Sequence, residues 1–151
     1  MTGRLIGIAR RDRKRAPMEE IDRVRLEADA GLEGDYRGRF RNRGVTVLAR
    51  EAWEAALADL DDADNLPWTL RRANLLVKDI DLPREGGGLL QVGGALLRIT
   101  GETDPCKRME EQHAGLQAAL TPDWRGGVTC RVVRGGEVAL GDQAKLVDET
   151  A

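Results

Sequence analysis

A two-glycine connection, Gly93-Gly94, joins two strand-like stretches, Leu89 to Val92 and the alternating Ala95 to Thr100. Glycine at both central positions suits the tight turn of a two-residue hairpin, and residues spaced by two share one face of a strand. The same pattern recurs along the chain. Leu5 to Ala9, Val24-Leu26-Ala28, Val45 to Leu48, Asn74 to Val77 and Val128 to Val132 read as short strands. Gly135-Gly136 and Gly141-Asp142 turn two more, Glu137 to Leu140 and Gln143 to Val147. Many short strands with glycine turns predict a sheet that closes, or nearly closes, on itself.

Two segments carry helical spacing instead. Trp53, Ala56, Leu57 and Leu60 predict an amphipathic helix over Arg50 to Leu60. Met109, His113, Leu116 and Leu120 predict a second over Met109 to Leu120, with His113 a hydrogen-bonded core histidine. Asp61 to Asn65 reads as a polar loop between elements. No repeat or linker divides the 151 residues. The expected class is mainly β with α (α+β): one domain over 1–151, a barrel with two or three peripheral helices. Aromatics are few (Trp53, Trp68, Trp124, Tyr36, Phe40), so the core must be built from Leu, Val, Ile and Ala.

Several function classes fall away on composition. No apolar run approaches the roughly 18 residues of a membrane span, and the start, Met1-Thr2-Gly3-Arg4, lacks a secretory core. Cys106 and Cys130 form no C-x-x-C pair, which argues against a zinc ribbon or a disulfide scaffold. A single histidine argues against a histidine metal site or triad. A reduced, cytoplasmic protein is expected.

The chemistry concentrates at Thr100-Gly101-Glu102-Thr103-Asp104-Pro105-Cys106-Lys107-Arg108-Met109. A strand, a polar turn closed by proline and a cysteine in the first helical turn would set the sulfur beside unpaired backbone amides and two cations. Such surroundings favour thiolate, the form that attacks electrophiles and binds metals. The alternative is a small residue packed in the barrel. Cys130, inside an alternating strand, reads as core, as do Met109 and Trp53.

Net charge is only −2, but arginine is clustered. Arg10 to Arg15 reads as a solvated loop. Arg37, Arg39, Arg41 and Arg43 are spaced by two, so an extended backbone would set them on one face. That face is either a charged edge that discourages strand pairing or a phosphate patch. Arg71, Arg72 and Asn74 carry the same two readings, and Asn74 alone could bond its own turn. An RNA or single-stranded DNA surface is a third class, against which the scarcity of stacking aromatics argues.

In this order the pieces resemble a stand-alone MOSC domain, the C-terminal domain type of molybdenum cofactor sulfurases. The resemblance rests on Gly31-Leu32-Glu33-Gly34-Asp35, Val45 to Leu48 with its following helix, and Arg72-Ala73-Asn74-Leu75. It continues through Thr100-Gly101 to Pro105-Cys106, Gly126-Gly127-Val128, Arg131-Val132 and Gly135-Gly136-Glu137-Val138 to Gly141-Asp142. It implies a β-barrel, and a molybdenum-pterin cofactor (molybdopterin) whose metal is held by Cys106 as a thiolate. Arg72 and Asn74 would lie near the pterin phosphate, with Arg37, Asp35 and Thr100 beside the pocket. Here Tyr36 follows the Gly-Asp turn directly, and Arg37 comes one step later. The resemblance implies reduction of N-hydroxylated small molecules with electrons from a separate partner protein. Alternatively, it implies a metal-free sulfur carrier holding a persulfide on Cys106, supplied by a pyridoxal-phosphate cysteine desulfurase.

Overall fold

In the computed structural model, residues 2–40, 43–60 and 66–148 are described. Ten strands run as β1 (Thr2–Arg10), β2 (Glu19–Glu20), β3 (Arg23–Leu26), β4 (Val45–Ala49), β5 (Leu75–Lys78), β6 (Leu89–Val92), β7 (Ala95–Glu102), β8 (Val128–Arg134), β9 (Gly136–Ala139) and β10 (Gln143–Val147). The helices are α1 (Arg50–Ala58), α2 (Lys107–Gln112) and α3 (Leu116–Leu120).

The sheet order is β10-β6-β7-β8-β4-β5-β1-β2, and β10 also pairs with β1, which closes seven strands into a barrel. Closure leaves those seven without a free edge, which only a barrel achieves. All its pairings are antiparallel except β4 with β5, which α1 connects. β3 and β9 form a separate two-stranded ribbon.

The barrel is filled by the alternating faces that the sequence displays: Leu5, Val45, Val47, Leu75, Val77, Leu97, Ile99, Val128, Cys130 and Val132 are all buried together. Burial pushes the Cys130 thiol pKa up, leaving that sulfur an inert core group. A second cluster packs α1, α2 and α3 on the outside, with Leu48, Trp53, Met109, Leu116 and Leu120 at its centre. The β4 strand is therefore buried on both faces.

The helix expected over Met109 to Leu120 is two helices. His113 is extended (φ −159°) and Gly115 takes φ +87°. The Glu110 carboxylate accepts from the Gly115 and Gln117 amides at 2.8 and 3.3 Å, so it caps a new helix instead of supporting a continuous one. The core-histidine reading fails with it: His113 is half-exposed, and its Nδ1 sits 2.9 Å from the Ala114 carbonyl oxygen.

The arginine face expected over 37–43 is corrected too. Tyr36–Arg39 is a 3-10 turn, not extended chain, so no extended arginine face begins at Arg37. Arg43 lies over the Phe40 ring at 5.5 Å. Arg41, and the loop expected at 61–65, fall outside the described residues.

Gly127 fixes the entry to β8. Its φ is +97°, and a Cβ there would stand 2.3 Å from the Val47 carbonyl oxygen. A Gly127→Ala chain should lose about 3 kcal/mol or more of stability, since clash and left-handed strain add. An urea midpoint indistinguishable from wild type would contradict this reading.

Candidate functional site: a cationic cleft around Cys106

Four chain segments meet around one cleft: the loop leaving β1, the turn at Tyr36–Arg39, the turn before β5, and the turn leaving β7. The last delivers Cys106. Thr103 donates its amide to the Gly127 carbonyl at 2.9 Å, Asp104 and Pro105 turn the chain outward, and Cys106 stands as the residue before α2. The sulfur is exposed and accepts no capping bond from the six-residue helix. Its surroundings are set by arginines, not by the helix end.

Arg71 is the centre of that arrangement. It is only 4% exposed, yet it meets no carboxylate among the described residues. Its Nε donates to Gly126 O and one Nη to Thr103 O, both at 2.8 Å, while the other Nη faces the Met109 sulfur at 3.8 Å. One planar fork thus ties the Cys106 turn, the start of β8 and α2 together. Gly126 leaves the room for this, because a Cβ there would stand 3.2 Å from the guanidinium. Burial lowers the Arg71 pKa to about 10; Arg37 adds to the fall, while Cys106, Asp104 and Glu102 oppose it.

Arg72 takes φ +63°, and its guanidinium donates to the Ala16 carbonyl, fastening the basic loop. Burial, then Arg11, Arg108 and Arg37, bring it down to about 10 as well. Burial followed by Arg11 lowers Arg37, with Asp35 and Cys106 pulling the other way. Both Arg71 and Arg72 stay charged at neutral pH. The smaller part of the lowering, repulsion from neighbouring arginines, is relieved by any anion placed among them.

Asp35 sets the spacing of this group. One carboxylate oxygen accepts from the Arg11 amide at 2.9 Å and the other from the Arg37 amide at 3.0 Å. The Tyr36 amide returns a bond to Arg11 O at 2.7 Å, and the Arg11 guanidinium lies 5.8 Å from the Tyr36 ring. Removing the carboxylate in Asp35→Ala should cost about 1–2 kcal/mol, as loss of a cap does. Amide hydrogen exchange at Arg11 and Arg37 should then quicken by about tenfold; unchanged rates would remove Asp35 from this role.

Together these elements enclose a cleft of about 530 Å³ lined by Cys106, Met109, Glu111 and cations from Arg11, Lys14, Arg15, Arg37, Arg71, Arg72, Lys107 and Arg108. Glu111 is the only carboxylate in this lining among the described residues, and it pairs with Arg108 at 3.6 Å. The Nε atoms of Arg11, Arg37 and Arg108 are sealed from solvent and have no acceptor among the described residues. Eight arginine and lysine side chains against one carboxylate make the cleft strongly positive, which favours an anionic occupant.

The structure brings Cys106, Arg37 and Arg72 together, with Asp35 directly behind. It does not bring Asn74 or Thr100 to the cleft. Asn74 is buried in the barrel wall: Oδ1 accepts from the Thr46 amide at 3.0 Å, and Nδ2 donates to Ala9 O at 3.2 Å. It joins β4, β5 and β1. Thr100 lies in an adjacent groove with Arg43, Arg98 and Glu102, its hydroxyl 2.8 Å from the Thr129 hydroxyl. Sequence reading set Arg10 to Arg15 in a solvated loop; Lys14 and Arg15 are exposed in that loop, and with half-buried Arg11 they also line the cleft. Only the arginine density hinted at this, since the fastening comes from Asp35 and Arg72.

No three His, Cys, Asp or Glu side chains among the described residues converge as a metal site. A metal here would have Cys106 as its protein ligand and bring its remaining ligands with it.

The model of the MOSC domain matches residues 35–145, and the chain belongs to the MOSC domain family, a family associated with the molybdenum cofactor. Its fold is shared with solved structures. The YuaD protein from Bacillus subtilis superposes with TM-score 0.79 at 20% identity, over 97% of this chain and 96% of that one. YiiM from Escherichia coli gives 0.70 at 18% identity over 97% and 70%, and YiiM from Geobacillus stearothermophilus 0.74 at 14% over 97% and 75%. No sequence match was found among curated proteins. No helix of the described residues is long and apolar enough to cross a membrane.

Proposed function

We propose that this chain binds a molybdenum-pterin cofactor in the cationic cleft, with Cys106 as the protein ligand to the metal. The observation that carries the reading is the convergence of an exposed thiol with eight arginine and lysine side chains in one cleft, whose lining holds a single carboxylate among the described residues. The donor set fits both ends of such a group. A soft sulfur suits the metal, and planar arginine forks suit a phosphate.

Arg37, Arg72 and Arg11 would hold the anionic end. Arg71 sets the Cys106 turn from behind. When bound, the cofactor supplies the redox chemistry, and the protein contributes position and electrostatics. The open cleft leaves the sulfur side reachable by a small N-hydroxylated compound, whose reduction takes up electrons and protons and releases water. A separate electron-donor protein would supply the electrons.

Expression in a host that makes the cofactor tests this. The purified chain should carry molybdenum and releasable pterin, and Cys106→Ala should lose the metal. Wild-type protein without either component would sink the proposal. The exposure of the sulfur also supports a second reading, a persulfide carrier served by a cysteine desulfurase. In that case, incubation with a desulfurase and cysteine adds one sulfur mass to Cys106 in metal-free protein; no added mass rejects it.

A further inference from the structure

We propose that Cys106, when free of metal, is a selective acceptor of anionic disulfides, which cap the sulfur reversibly and block it as a ligand. The inference uses the cleft of the cofactor reading but does not require the metal. Only one of the two cysteines is available for it: Cys106 is exposed and Cys130 is buried in the barrel.

The cleft selects by charge. Arg71 is buried with carbonyl oxygens and a thioether as its neighbours. Arg11, Arg37 and Arg108 line the same cleft and add positive charge to it. A disulfide bearing carboxylates is attracted by these cations; one bearing ammonium groups meets repulsion from the same residues. Clefts lined by one sign of charge concentrate the opposite charge and speed its arrival.

The step is thiol–disulfide exchange. The deprotonated Cys106 sulfur attacks one sulfur of the disulfide, the old S–S bond breaks, and the departing half leaves as a thiolate. Cys106 is oxidised and the departing sulfur reduced, so no outside oxidant is needed. The cationic lining also stabilises the departing negative charge. Excess small thiol reverses the cap, which makes metal ligation dependent on the thiol–disulfide balance around the protein.

The test uses the full chain purified from a host lacking the cofactor. Oxidised glutathione, an anionic disulfide, and cystamine, a cationic one, are compared by the rate of adduct formation in mass spectrometry. Each rate is divided by that of the same disulfide with mercaptoethanol. The glutathione rate should exceed the cystamine rate by at least about tenfold at low salt. The ratio should fall toward unity at high salt, and in Arg37→Gln or Arg108→Gln, whichever variant keeps the wild-type circular dichroism. Equal normalised rates, or an adduct that persists in Cys106→Ser, would overturn the proposal. Selectivity in a chain that never takes up molybdenum removes the cofactor reading alone; molybdenum uptake without selectivity removes this one alone.

Discussion

The Arg37→Gln, Arg72→Gln double variant should bind inorganic pyrophosphate about a hundredfold or more weaker than the wild-type chain, by calorimetry at low salt. Each charge-assisted bond to a phosphate oxygen contributes about 1.5–3 kcal/mol, so losing two costs about 3 kcal/mol or more. The effect is large here because both residues line one cleft, where burial first and then repulsion from neighbouring arginines lower their pKa values. An anion gains from relieving that repulsion as well as from the bonds themselves. Arg13→Gln is the matched comparison. Arg13 is exposed, pairs with the neighbouring Asp12 at 3.2 Å, and does not line the cleft. Its loss should change affinity by no more than about twofold, as for a screened surface charge. Equal weakening by Arg13→Gln and the double variant would mean that the arginines act as a diffuse field and not as a site.

The second large effect is on stability. Arg71→Met should lower unfolding free energy by about 3 kcal/mol. Two terms oppose each other. Removing a buried charge that has no carboxylate partner relieves desolvation. Against this, the variant strands the carbonyls of Gly126 and Thr103, each accepting at 2.8 Å, in a place water does not reach. Two unsatisfied buried acceptors at about 1–3 kcal/mol each outweigh the relief, because the lost bonds are also charge-assisted. Arg71→Lys should recover less than half, since one ammonium lacks the fork that reaches both carbonyls. The midpoint in urea should fall with little change in slope. A midpoint at or above wild type would show that the desolvation term wins.

The barrel was legible in the sequence because its strands alternate and its hairpin carries Gly93-Gly94, features that depend on near neighbours. α1 was legible for the same reason. The break between α2 and α3 was not, because it depends on Glu110 reaching forward to the Gly115 and Gln117 amides. The position of Cys106 could be read from strand, proline turn and helix. Its surroundings could not. They are assembled by Arg71, whose partners Thr103 and Gly126 lie 32 and 55 residues away along the chain, and by Asp35, which fastens Arg11 across 24 residues. Asn74 illustrates the reverse. A polar residue at a strand entrance looks the same in sequence whether it faces a ligand or, as here, joins three strands inside the wall.

X-ray absorption at the molybdenum edge, on chain purified from a cofactor-producing host, tests the central claim most directly. Wild-type protein should show one more sulfur scatterer at bonding distance than Cys106→Ser, with pterin retained in the wild type. Identical spectra from the two chains, or a wild-type chain that carries no molybdenum, would contradict it.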